Sequence, residues 1–178
     1  IKTDANGDKV WKKIFGGTHI DMAFSGQQTS DGGYIVAGLT ASLSGNGVED
    51  VYLLKIDANG NKTWEKTFGK RGRSEVGYSV QQTSDGGYII AGQTVWAVLG
   101  QWFNQADVYL IKTDANGNEV WEKTFGGTGM DTGYSVRETS DRGYVIAGFT
   151  ASFGSIDSTT YLIKTDAKAV FVVNLMNR

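Results

Sequence analysis

Cysteine and proline are both absent from the 178 residues, and histidine occurs once, at His19. Without cysteine there are no disulfides, thiolate metal sites, iron–sulfur clusters or cysteine nucleophiles, although the cellular compartment stays open on that ground. A single histidine and no Gly-x-Ser-x-Gly elbow leave no supported catalytic triad. Without proline to lock φ, the turns must be shaped by the 25 glycines and by asparagine and aspartate. Excess charge is also missing. The formal net charge is −2 with acids and bases interspersed, so nothing draws the chain toward nucleic acid or an anionic membrane. The apolar stretches are strand-sized, far below the roughly 20 residues of a spanning helix, so no membrane insertion is expected. No basic leader precedes Ile1, which itself falls inside a repeat unit, so the natural start is left open.

What the chain does have is repetition. A unit written TSDGGYIVAG recurs at 27–38, 81–92 and 137–148. A second, written VYLLKIDANGNKTW, recurs at 51–64 and 108–121, with a truncated opening copy at 1–11 and a degenerate closing copy at 161–173. Self-similarity at a period near fifty residues points to a solenoid, propeller or array before any local reading is attempted.

Four segments per copy have strand character, and no window carries the i, i+3, i+4, i+7 spacing of an amphipathic helix, so the class is all-β. Ser84-Asp85-Gly86-Gly87 and its relatives place Asp and Gly where tight hairpins need side-chain-to-backbone bonding and positive φ. In the third copy Arg142 stands in place of the first glycine. Asn6-Gly7, Asn59-Gly60 and Asn116-Gly117 supply the second hairpin. Strands such as Val108-Tyr109-Leu110-Ile111 are apolar on both faces and need cover on both sides, which in a repeat protein the neighbouring copy provides. Short antiparallel four-stranded sheets covered in this way describe β-propeller blades. Trp11, Trp64 and Trp121 each lie seven residues after the Asp that opens the turn (Asp4, Asp57, Asp114), with Phe15, Phe68 and Phe125 four further on. Even spacing puts Trp and Phe on one strand face, where they wedge adjacent blades, a ligand-stacking platform being the alternative. Lys12, Lys13, Lys62, Lys66 and Lys123 on the same strands read as charges guarding an outer edge.

The segment from Leu110 to Trp121, LIKTDANGNEVW, resembles the tryptophan-docking repeat of quinoprotein-type β-propellers. The whole repeat, from Ile1 to about Asp166, resembles tandem SDGGYIVAG…KTDANGN…W propeller repeats of uncharacterised, mostly secreted or surface proteins of archaea and bacteria. The resemblance implies three blades plus an opening hairpin: 1–15 as the outer hairpin of a preceding blade, then 16–68, 69–125 and 126–178, the last with a degenerate final strand. It implies that the Tyr78 strand lies innermost and the Trp-bearing strand outermost, and an extracellular or cell-surface location. It carries no quinone chemistry, since residues that would hold a quinone are not identifiable, and no cofactor is expected.

Function is sought in the connections. The segment 95–107 is longer than its equivalents and bears Trp96, Trp102 and Phe103, which need burial against the chain's own blade, against another subunit or the missing part of a propeller, or as a sugar- or peptide-stacking surface. Lys70, Arg71 and Arg73 form a local basic cluster that reads as a solvated loop or as an anion or acidic-sugar contact. Asp21, Glu75 and Asp131 occupy equivalent interblade positions, and Asp50, Asp107 and Asp157 end the within-blade loops. Such acids cap backbone N–H groups or, less simply, ring a hard cation. Three blades do not close a ring comfortably, so the expectation is either a piece of a longer propeller or completion by another chain. The leading functional expectation is a non-enzymatic scaffold presenting loops to a protein or glycan. Its rivals are a propeller hydrolase or lyase working through loop carboxylates, and a structural surface-layer component.

Overall fold

The computed structural model describes residues 1–44, 48–98, 101–153 and 159–170, the side chains of 97–104 excepted. Every element within them is a β-strand. Strands β1 (Lys2–Thr3) and β2 (Lys9–Trp11) form a hairpin. A first antiparallel sheet runs β3 (Asp21–Gln28), β4 (Tyr34–Thr40), β5 (Asp50–Ile56) and β6 (Lys62–Phe68) in chain order. A second repeats it with β7 (Arg73–Gln82), β8 (Tyr88–Val98), β9 (Gln101–Thr113) and β10 (Glu119–Phe125). The third holds β11 (Asp131–Glu138), β12 (Tyr144–Thr150) and β13 (Thr159–Thr165). The degenerate closing strand expected after residue 170 lies outside the described residues.

The cores lie between sheets rather than within one. Ile35, Ala37, Val51 and Leu53 of the first sheet pack with Val80, Tyr88, Ile90 and Ile111 of the second. Ile89, Ala91, Val108 and Leu110, which alternate with those residues along β8 and β9, pack with Val136, Tyr144, Ile146 and Ile163 of the third. Period-two alternation therefore sends one strand's side chains into two different cores, which is why these strands read as continuously apolar. Each junction carries a tryptophan against a tyrosine of the next sheet, edge to face, at 5.8 Å: Trp11–Tyr34, Trp64–Tyr88 and Trp121–Tyr144. Trp64 also fills the space over Gly117, where a Cβ would come within 2.7 Å of its ring.

The hairpins form where the sequence places them, with particular devices. Asp57 Oδ1 accepts from the amides of Asn59 and Asn61, and Asp4 and Asp114 repeat this bond pair. These aspartates cap the turn backbone. In the other turn the two glycines have different duties. Gly32 and Gly86 sit at φ +79° and +83°, and Arg142 takes the same left-handed conformation at +61°. The second glycine of the pair lies where any side chain would collide with a carbonyl across the hairpin and with a lysine Nζ, as at Gly87 against Thr113 and Lys112. Conformation is negotiable at the first position and space is not at the second.

The segment 95–107 corrects the expectation of a long loop. β8 continues to Val98 and β9 begins at Gln101, so the insertion extends the central hairpin as paired strand beyond the other sheets' ends.

Candidate functional site

Three features recur from sheet to sheet, and a fourth, an acid capped by a serine near the strand ends, is lost in the second sheet, where the candidate site lies. The first is a ladder along β3, β7 and β11, the first strand of each sheet. Ser25 Oγ accepts from Val80 N–H at 3.2 Å and Gln27 Oε1 from Gln82 N–H at 2.7 Å. Ser79 and Gln81 do the same for Val136 and Glu138, at 3.2 and 2.8 Å. In return Gln82 Oε1 accepts from Ser30 N–H, and Glu138 from Ser84 N–H. The polar residues of these first strands thus join sheets that share no backbone ladder.

The second feature is a row of aromatic rings. A register shift falls at Phe24, Tyr78 and Tyr134, so each is the extra residue of a bulge and is re-aimed away from its own sheet. Phe24 and Tyr78 lie 5.3 Å apart with ring planes at 58°, and Tyr78 and Tyr134 lie 5.4 Å apart at 57°. Phe24 and Tyr134 are about half exposed.

The third is a lysine paired with the hairpin aspartate in every copy, buried in the first two sheets and half-buried in the third. Lys55 and Lys112 sit in the otherwise apolar strands β5 and β9 and pair with Asp31 and Asp85 at 2.8 and 2.9 Å; Lys164 repeats the pair with Asp141. Burial opposes ionisation of Asp85, but the Thr83 hydroxyl, Lys112 and the Gly87 amide hold its carboxyl at about 2. Lys55, Thr29 and the Gly33 amide hold Asp31 well below the carboxylate range. Sequence reasoning passed over these lysines. Their signal was a single charge inside LLKID and LIKTD, at the same place in every copy.

At the ends of these strands the three acids expected as a set diverge. Asp21 accepts from the hydroxyls of Thr40 and Ser42 and from Gly17 N–H, and these bonds outweigh burial to keep it ionised. Asp131 keeps the Ser152 and Gly127 bonds, while its Oδ1 is buried with no partner. In the second sheet the residue in register with Ser42 and Ser152 is Trp96, and the acid is Glu75 rather than Asp. Glu75 is fully buried; Thr94 donates to Oε1 at 3.1 Å and Oε2 is left without a partner. Burial, reinforced by the neighbouring Asp50 carboxylate, pushes its pKa up to about 7. Asp107 is likewise raised, by burial first and then by the nearby charge of Asp131. The three acids therefore belong to separate junctions and form no ring. Among the described residues no group of three or more acids or histidines is placed to hold a metal ion. Asp157 lies outside the described residues.

Trp96, released from the capping role, is 43% exposed and stacks under the Arg73 guanidinium at 4.0 Å. Arg73 also donates to Thr94 Oγ1 at 3.4 Å, so one short row holds Glu75, Thr94, Arg73 and Trp96 at the foot of the projecting β8–β9 hairpin. Arg71 is exposed beside it, whereas Lys70 is turned away to pair with Glu122. The structure thus brings together two of the expected binding residues, Arg73 and Trp96, and engages a third elsewhere. The side chains of Trp102 and Phe103 lie outside the described residues. His19 is exposed, and its ring Nδ1 lies 3.2 Å from the Thr18 hydroxyl. The acids with raised pKa, Glu75 and Asp107, line neither the cavity of about 680 Å³ beside β1–β2 nor one of about 500 Å³ lined by Asp85, Asp114 and Glu138, and of these last acids Asp85 and Asp114 are held below the ordinary carboxylate range. No protein-family model matches the chain, and no curated protein is significantly similar to it.

Proposed function

We propose that this chain is a non-enzymatic β-propeller-type scaffold, working at the cell surface or outside the cell, that presents the Arg73–Trp96 pair and the projecting hairpin to an acidic glycan. The carrying observation is that pair: an arginine stacked on a half-exposed tryptophan, at the one repeat position where a capping serine has been given up. A guanidinium recognises a carboxylate by paired N–H donors, and an indole offers a flat apolar face to a sugar ring.

The propeller reading is supported by the row of rings along the inner strands. Where one rotation relates equivalent rings, that rotation cannot be smaller than the angle between their planes. Successive angles of 58° and 57° would then require at least that rotation per repeat, and a closed ring would hold no more than six repeats.

The test is a titration of the 178-residue chain with an oligogalacturonate and, separately, with a neutral cello-oligosaccharide, followed by tryptophan fluorescence. The acidic oligosaccharide is expected to bind, and Arg73→Ala or Trp96→Ala to weaken it roughly tenfold or more with the circular dichroism spectrum unchanged. Equal binding by the variants, or no binding of either sugar, would remove this reading.

A further inference from the structure

The leading face of the first sheet, the one turned toward β1–β2, repeats a surface that is covered everywhere else. Met22 is 50% exposed, whereas its counterparts Val76 and Thr132 in the second and third sheets are 8% and 1% exposed. Tyr34 and Val36 are half-buried, while Tyr88, Ile90, Tyr144 and Ile146 in their place are buried. The amides of Gly26 and Gln28 correspond to those of Val80 and Gln82, which donate to a serine hydroxyl and a glutamine carbonyl of the preceding sheet. Among the described residues no such acceptor meets Gly26 or Gln28.

The outer half of the missing cover is already in place. Trp11 packs on Tyr34 and donates to Ala58 O at 3.3 Å, and Lys13 reaches Asn61 Oδ1 at 3.2 Å, as Lys66 reaches Asn118 at the next junction. Inside this hairpin lies a cavity of about 680 Å³ lined by Trp11, Phe15, Met22, Tyr34, Val36 and Tyr52 among others. By position β1–β2 is the outer strand pair of a sheet, and what the two internal junctions add there is an inner pair.

We propose that this face and β1–β2 together form a socket for a two-stranded β-hairpin, whose inner strand carries a hydroxyl and an amide oxygen two residues apart, a Ser-x-Gln arrangement. The hairpin would pair with the free edge of β1, cover Met22, and accept hydrogen bonds from Gly26 and Gln28 N–H. The occupant is not the trailing sheet of a second copy. At the position of Gln27 and Gln81 that sheet carries Arg137, whose guanidinium has donors only and is turned to Val136 O at 2.8 Å. The socket stands on the internal junctions and is independent of what the Arg73–Trp96 pair binds.

The probe is a synthetic peptide of residues 75–94, the inner hairpin of the second sheet, added to the intact chain while amide exchange is followed by NMR. Gly26 and Gln28 amides are expected to gain at least about tenfold protection, and the same peptide with Gln81→Arg to bind roughly five- to tenfold more weakly. A fusion of residues 75–94 through a Gly-Ser linker to Ile1 makes the test independent of peptide solubility. It is expected to raise Tm by roughly 5 °C and protect the same amides, and the fusion carrying Ser79→Ala and Gln81→Arg to lose most of both gains. The proposal is overturned if the two fusions behave alike, or if neither peptide nor fusion protects Gly26 and Gln28. It is equally overturned if sedimentation shows the unmodified chain as a dimer with these amides already protected.

Discussion

Glu75 has one carboxylate oxygen bonded by Thr94 and the other buried without a close hydrogen-bond partner, with the Lys70 backbone amide nearby and Asp50 and Arg73 as its charged neighbours. Below pH 4.5 it is protonated in both folded and unfolded chains and costs no stability. Above that the unfolded chain releases the proton, while the folded chain holds it until about pH 7, so stability falls across this window and stays lower beyond it. Asp85 acts in the opposite sense: its contribution is complete above about pH 4 and is lost as pH falls toward 2. Chemical denaturation of Glu75→Gln at pH 5 and pH 8 should show the variant gaining on the wild type by roughly 2–3 kcal/mol between the two values. An equal offset at both would mean that Glu75 is ionised throughout. The residues in this corner were individually visible in the sequence, since Trp96 was singled out as an unusual aromatic and Glu75 as one of three acids. Their connection was not. It runs between positions 21 residues apart, and it shows only when Ser42 and Ser152 are seen to cap the acids that Glu75 replaces.

At the level of strands and turns, most of what the sequence encodes is local and was readable. Asp and Gly spacing gives the hairpins, and the apolar strands announce cover on both faces. The bonds that fasten one sheet to the next were opaque for a physical reason. Ser25 and Val80 are 55 residues apart, and nothing in a polar strand distinguishes a solvated serine from one that accepts a neighbour's amide. The same holds for the β8–β9 extension, whose apolar composition suits a buried loop as well as a longer strand pair. The tryptophans are the clearest case of legible packing. Trp64 is wedged between two four-stranded sheets, and Trp11 fastens only a short hairpin to the first. Truncation should separate the two: Trp64→Ala is expected to cost about 3 kcal/mol in urea denaturation, and Trp11→Ala about 1 kcal/mol, because an isolated hairpin contributes little of its own. Equal costs would place β1–β2 within the cooperative core.

Taken as a whole, the molecule is a stack of quasi-identical sheets, and a stack of identical units with complementary ends has no reason to stop. Among the described residues, β3 and β11 fall short of the ladder that joins the internal sheets by one side chain. The leading end presents amides at Gly26 and Gln28, and the trailing end presents Ser135 where an acceptor belongs but Arg137 where the second belongs. Replacing that residue restores complementarity: Arg137→Gln should give concentration-dependent self-association by analytical ultracentrifugation at tens of micromolar, where the wild type stays at one mass. If the variant sediments as the wild type does, the two ends are kept apart by β1–β2 instead. A cation that can only donate, set on β11 where the other sheets carry a glutamine, would thus disfavour open-ended head-to-tail association through that strand, at the cost of a single hydrogen bond.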